Sequence, residues 1–153
     1  MNLCSEVINA LTGKTLVTAE SCTGGGIGAA LTAVSGSSSV YQGGVISYTN
    51  WVKNQLLDVD SELLNRVGAV SAPVAEAMAI GARNRLQADV AVSVTGLAGP
   101  TGDEYGNPVG TVYIGYADAK TVSSFEFHFQ GDRETVRKSA ATEALKIVLA
   151  ENS

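Results

Sequence analysis

This 153-residue sequence has little histidine or cysteine and no long apolar run, and each shortage removes a class of chemistry. The single histidine, His128, stands inside Phe125-Glu126-Phe127-His128-Phe129, alternating with the phenylalanines as a sheet-face residue does. A Ser-His-Asp triad therefore has no imidazole at the end of a strand. Two cysteines, Cys4 and Cys22, are too few and too ill-spaced for a disulfide framework or a structural zinc site, which fits a reducing compartment. Asp58 with Asp60 and Asp103 with Glu104 have no histidine partner, and no cysteine pair has ligand spacing, so no metal site is expected. The apolar runs are broken by glycine, serine or charge well before the roughly 20 residues of a membrane span, and no secretory pattern opens the chain. A cytoplasmic protein with no membrane partner is expected. Ten basic residues against fifteen acidic ones, a net charge of -5, argue against a nucleic-acid partner. An anionic ligand would have to be small and met by a local cation.

What is present is apolar material enough for one core, 45% hydrophobic and 16% charged, so the sequence predicts a single domain over 1–153. Leu3, Val7, Ile8 and Leu11 at helical spacing predict a helix over about 2–12, stopped by Gly13. Thr15–Ala19 reads as a buried strand, followed by a glycine-rich turn at Glu20–Gly26 and a helix ending near Ser35-Gly36. Gly43–Thr49 reads as a strand leading into a helix capped by Asn50. Ser61–Val67 and a longer run from Ser71-Ala72-Pro73 to Leu86 read as helices, and Asp89–Thr95 as a buried strand. Thr111–Tyr116 and Val122–Phe129 form an expected hairpin about Asp118-Ala119-Lys120, and Asp132 caps a last helix. The fold class expected is α/β, a three-layer α/β/α domain around a mixed β-sheet.

Ligands in open α/β sheets bind beyond the carboxyl ends of the strands. Three such ends carry unusual residues: Ser21 with its turn, Tyr48 to Lys53, and Thr95 to Pro100. Ser21 sits at a strand-to-helix turn, as an exposed nucleophile would, yet Ser21 or Thr23 reads equally well as a helix cap. Gly24 to Gly26 either cradles a phosphate or lets the helix pack closely. Lys53, in the first turn of its helix, is a candidate base if desolvation lowers its pKa, and the positive end of the helix dipole would push the same way. Against that stands an ordinary surface lysine. Tyr48 is placed to orient or relay, or simply to pack. Cys22 is an alternative nucleophile or a small buried hydrophobe. Arg133 and Arg137, four apart, share a face at the start of the last helix and read either as an anion clamp or as a solvated ion-pair face.

Six segments, AESCTGG at 19–25, GGVISYTNWVK at 43–53, GAVSAPVAEAMAIGA at 68–82, TGLAGPTG at 95–102, PVGTVY at 108–113 and GDRETVR at 131–137, together resemble the CinA C-terminal domain family. Its characterised activity is nicotinamide-nucleotide amidase. The resemblance runs in order over nearly the whole chain and is to the stand-alone form, without the molybdopterin-binding-type domain found fused to some members. It implies hydrolysis of nicotinamide mononucleotide to nicotinate mononucleotide and ammonia in pyridine-nucleotide salvage, with Ser21 the nucleophile and Lys53 the base. Tyr48 stands beside them as a catalytic candidate. Thr95, Gly96, Thr23, Gly24, Gly25 and an arginine, either Arg133 or Arg137, are the substrate-binding candidates. Asp58 stands where a glycine is expected and Asn107 where lysine is common. A non-catalytic pyridine-nucleotide binding module and a serine amidase acting on another small amide are the rival readings. The strand at 125–129, if its phenylalanines are exposed, would also suit a homodimer.

Overall fold

The computed structural model of the chain describes residues 2–153. One five-stranded sheet runs in the order β2-β1-β3-β4-β5, built from β1 (Leu16–Glu20), β2 (Tyr41–Ile46), β3 (Val90–Gly96), β4 (Thr111–Ala117) and β5 (Val122–His128). β1 pairs in parallel with both β2 and β3, while β4 and β5 continue antiparallel, so the mixed sheet expected from the sequence is the one observed. Helices α1 (Leu3–Ala10), α2 (Gly26–Thr32) and α6 (Arg133–Glu151) cover one face; α3 (Asn50–Leu57), α4 (Ser61–Val67) and α5 (Ala72–Leu86) cover the other.

Side-chain alternation along the strands divides the core into two layers. Leu16, Val90, Val92, Val94, Ile114 and Tyr116 pack with α1, α2 and α6. Val17, Ala19 and Ala91 pack with Leu57, Val74, Met78 and Ala82 of the opposite layer. β1, buried at every position, is an inner strand between β2 and β3. The helices on either side of the sheet come from opposite directions around it, which makes the carboxyl end of β1 a topological switch point.

Several element ends differ from those the sequence predicts. α1 stops at Ala10, although Leu11 beyond it is still fully buried. The cap of α3 is Thr49, whose hydroxyl accepts from the Val52 N–H, and Asn50 is already helical. Asp58 closes α3 in the left-handed region, φ 55°, which accounts for the glycine expected there. Phe125, Phe127 and Phe129 are half-buried against the α6 layer, so the exposed phenylalanine strand that would suit a dimer is not present. His128 is exposed and pairs with Glu126. It is the last residue of β5, at the same end of the sheet as the end of β3 and not inside a strand as the sequence suggests, but two strands over and not bordering the cavity described next. No described helix is long and apolar enough to cross a membrane.

Candidate active site

The register of the three parallel strands puts three polar residues in one row. Glu20 of β1 lies opposite Ile46 of β2 and Val94 of β3, so the next residues, Ser21, Ser47 and Thr95, stand side by side at the carboxyl end. Backbone bonds continue the ladder, from Ser21 N–H to the Val94 carbonyl at 3.0 Å and from Ser47 N–H to the Glu20 carbonyl at 2.8 Å. After Ser47 the chain turns into α3, and Lys53, one turn in, folds back over this row.

Lys53 Nζ lies 2.9 Å from Ser21 Oγ and 2.7 Å from the Ser47 carbonyl, with a longer contact of 3.5 Å to the Tyr48 carbonyl. It is 1% exposed. Burial lowers its pKa from the ordinary 10.5 to about 8, because an ammonium loses hydration there. Of the two causes expected from the sequence, desolvation is the one that comes first here, ahead of any contribution from the helix dipole. Neither a surface lysine nor a serine cap is observed: α2 starts after Gly25 with no side-chain cap, and the Ser21 hydroxyl meets Lys53 instead.

A cavity of about 370 Å³ opens above the pair, within the range of small-molecule sites. Ser21, Cys22, Tyr48, Lys53, Thr95, Gly96 and Arg133 all border it, so all three strand ends singled out in the sequence converge. The roof is the segment after β3, fastened by Asn107, whose side-chain amide donates to the Val70 carbonyl and to Asp103. Thr95, 1% exposed, donates from its hydroxyl to the Ala69 carbonyl at 2.9 Å. Tyr48 is at the rim, its hydroxyl accepting from Arg133 Nη2 at 3.2 Å, while Arg133 Nη1 donates to the Gly99 carbonyl at 2.6 Å. Cys22 is buried, which pushes its thiol up to about 11, so it is a protonated small side chain near neutrality, as the small buried hydrophobe of the two sequence readings would be.

Four candidates stand elsewhere. Arg137 points behind the Ser21 turn, donating to the carbonyls of Cys22 at 3.0 Å and Thr23 at 3.3 Å, so the two arginines do not form one clamp. Thr23, Gly24 and Gly25 do not line the cavity. The Thr23 hydroxyl donates to Glu20, and the Gly24 N–H to the Ser21 carbonyl, so these groups are occupied within the turn. The first free N–H groups of α2, at Ile27 and Gly28, are taken by the Glu20 carboxylate, which removes the basis for a phosphate cradle at Gly24 to Gly26. Glu20 is the residue that sequence reasoning missed. A glutamate ending a buried strand just before a glycine-rich helix start was the available signal.

Behind the turn, between α1, α2 and α6, lies a larger hollow of about 1010 Å³. It contains neither Ser21 nor Lys53, and its walls mix small apolar residues such as Ala30, Ala33 and Ala141 with Glu134, Arg137 and Lys138, so the larger cavity is not the one that holds the Ser21–Lys53 pair. Among the described residues no three His, Cys, Asp or Glu side chains converge as a metal site requires.

The same arrangement of elements occurs in known proteins. A CinA superfamily protein of Escherichia coli superposes with a TM-score of 0.94 at 39% identity, covering 97% of this chain and 87% of that one. A competence/damage inducible protein from Agrobacterium tumefaciens gives 0.95 at 39%, covering 99% and 94%. A CinA-like protein of Cyanothece sp. (strain PCC 7425 / ATCC 29141) is 52% identical over 134 residues, 86% of this chain but 32% of its own length. The chain thus spans about a third of that curated relative. With the CinA C-terminal domain model matching residues 2–151, the chain belongs to the CinA C-terminal domain family.

Proposed function

We propose that this cavity is an amidase site that hydrolyses the carboxamide of nicotinamide mononucleotide, giving nicotinate mononucleotide and ammonia through an acyl-enzyme on Ser21. The observation that carries the reading is the buried amine of Lys53, 2.9 Å from Ser21 Oγ, with a pKa brought down to about 8. A neutral amine has two N–H donors and one lone pair. The carbonyls of Ser47 and Tyr48 are available for the donors, which leaves the lone pair for the serine proton.

In acylation, Lys53 takes the proton of Ser21 while Oγ bonds to the carboxamide carbon, and the carbonyl oxygen becomes an oxyanion. The N–H groups of Ser21 and Leu97 are committed to the Val94 and Thr111 carbonyls, so the Cys22 N–H, next after the nucleophile, is the donor assigned to that oxygen. Collapse breaks the C–N bond as Lys53 returns the proton to the departing amine, which leaves as ammonia. Water then attacks the ester, again losing its proton to Lys53. The second collapse regenerates Ser21 and frees the acid. No step in this scheme draws on a metal or an organic cofactor.

Arg133 is the cation at the mouth of the cavity and is assigned to the substrate's phosphate, with the Gly99–Gly102 segment beside it. The identity of the substrate rests on membership of the family and on this local cation in an otherwise acidic chain. The deciding measurement is ammonia release from nicotinamide mononucleotide by the purified protein. Turnover supports the reading. Binding without turnover would favour a nucleotide-binding module, and turnover of other small amides in preference would favour a different amidase.

A further inference from the structure

Glu20 is 2% exposed and adjoins the nucleophile in sequence, yet it faces the opposite layer. Its Oε1 accepts from the Thr23 hydroxyl at 2.8 Å and the Ile27 N–H at 2.9 Å; its Oε2 accepts from the Gly28 N–H at 3.0 Å and the Thr18 hydroxyl at 3.2 Å. Thr18 in turn meets the Tyr41 hydroxyl at 2.8 Å. We propose that Glu20 is a positioning residue for Ser21, holding the nucleophile's turn rigid by tying the end of β1 to the start of α2. This rests on the reading of Ser21 as nucleophile.

The turn needs such a tie. It runs through three glycines, Gly24 to Gly26, with Gly25 at φ 102°, and α2 has no side-chain cap of its own. Glycine has the widest backbone freedom of any residue, and a displacement of about 1 Å at a nucleophile costs on the order of a hundredfold in rate. Glu20 fastens the turn from the sheet side, while Arg137 holds the Cys22 and Thr23 carbonyls from outside. A carboxylate is also the favoured charge at the positive end of a helix.

The donor set sets the side chain's identity. Ile27 N–H meets one oxygen and Gly28 N–H the other, and a backbone N–H can only donate. Glutamine has the same shape but would turn an NH2 toward one of them. The network also requires a bare α-carbon at Gly28, where a Cβ would come within 2.6 Å of the Tyr41 hydroxyl. Lys53 owes its lowered pKa to burial, so Glu20 acts on geometry and not on the base.

The test compares wild type with Glu20→Gln, Thr23→Val and Thr23→Ser for ammonia release from nicotinamide mononucleotide, alongside melting temperature. Folded Glu20→Gln should lose about a hundredfold in kcat, with KM within about threefold and the limb of the pH profile still near 8. Thr23→Val should lose about tenfold in kcat, and Thr23→Ser should recover to within about twofold of wild type. A folded Glu20→Gln protein with kcat within about threefold of wild type overturns the proposal, as does a pH limb moved by about one unit or more. If Glu20→Gln does not fold, the threonine pair decides, and an unchanged kcat in Thr23→Val overturns it. If wild type releases no ammonia, the substrate reading fails, and Glu20 is judged instead by how fast a fluorophosphonate probe labels Ser21. Slower labelling in Glu20→Gln and Thr23→Val supports the positioning role, and labelling equal to wild type in either folded protein refutes it. A wild-type Ser21 that the probe does not label refutes both readings.

Discussion

Lys53 Nζ lies nearer the Ser47 carbonyl, at 2.7 Å, than Ser21 Oγ, at 2.9 Å, so the amine hangs from the end of one strand while it faces the serine of the next. In the proposed mechanism its protonation state governs reactivity, and burial ties the same proton to stability. kcat/KM should rise with pH and level off above a limb near 8, as the neutral amine becomes the major form. A pH-rate profile over 6 to 9.5, a range of roughly two units below and one and a half above that pKa, checks this. A flat profile would remove Lys53 as the base.

Ser21→Ala should abolish turnover with little change in melting temperature, since the hydroxyl caps no helix. Lys53→Arg should be as inactive as Lys53→Met, because a guanidinium stays protonated and cannot accept the serine proton. Cys22→Ala should keep most activity. Partial activity in Lys53→Arg would instead make the side chain an electrostatic contact.

The same burial should make Lys53→Met more stable than wild type at pH 7, by about 1–3 kcal/mol, because an ammonium is no longer forced out of water. Between the folded value of about 8 and the ordinary 10.5, the unfolded chain holds a proton that the folded chain has lost, so this lysine's contribution to stability rises with pH. Cys22 opposes it from 9 upward, since its folded thiol keeps a proton until about 11 while the unfolded one is already ionised. Denaturant titrations should therefore show the gain mainly from about pH 8 to 9, and Lys53→Met should lose it.

Arg133 and Arg137 should separate when nicotinamide mononucleotide is compared with its riboside, which lacks the phosphate. Arg133→Ala should lower kcat/KM by roughly tenfold to a hundredfold on the nucleotide and very little on the riboside. Arg137→Ala should reduce both alike, because its bonds are to the carbonyls of the Ser21 turn. Equal losses for Arg133→Ala on the two substrates would mean that its bonds to Gly99 and Tyr48 matter and a phosphate contact does not.

Asp58, held at φ 55° at the end of α3, should gain stability on replacement by glycine, by about 0.5–1 kcal/mol, without a change in kcat. The measurement is a pair of melting curves with parallel assays. An unchanged melting temperature would show that Asp58 takes that conformation without strain.

The sheet, its hairpin and the three converging strand ends were legible because strand patterns and turn residues are local properties. Ser21 and Lys53 could be named from their places at those ends, and their partnership follows from a parallel register that no spacing of 32 residues announces. The arginines misled because helical spacing gives a shared face but not what lies opposite each turn: Arg133 meets the roof segment and Arg137 the back of the Ser21 turn. Glu20 escaped for a related reason. Its position before a glycine-rich helix start is visible in the sequence, but the hydroxyls and N–H groups that surround the carboxylate are not.

Because Glu20 and Ser21 project to opposite sides of β1, the identity of the site depends on strand register as well as on residue type. A single residue inserted or deleted within Leu16–Glu20 would exchange the two faces, sending the hydroxyl into the α2 layer and bringing the carboxylate beside the Lys53 amine. An ion pair would then hold that amine in its charged form and leave nothing for it to activate. Length changes in the hairpin turn at 118–121 alter no such pairing at the three parallel strands. Tolerance to insertion should therefore differ sharply between these two places, although both are only a few residues long.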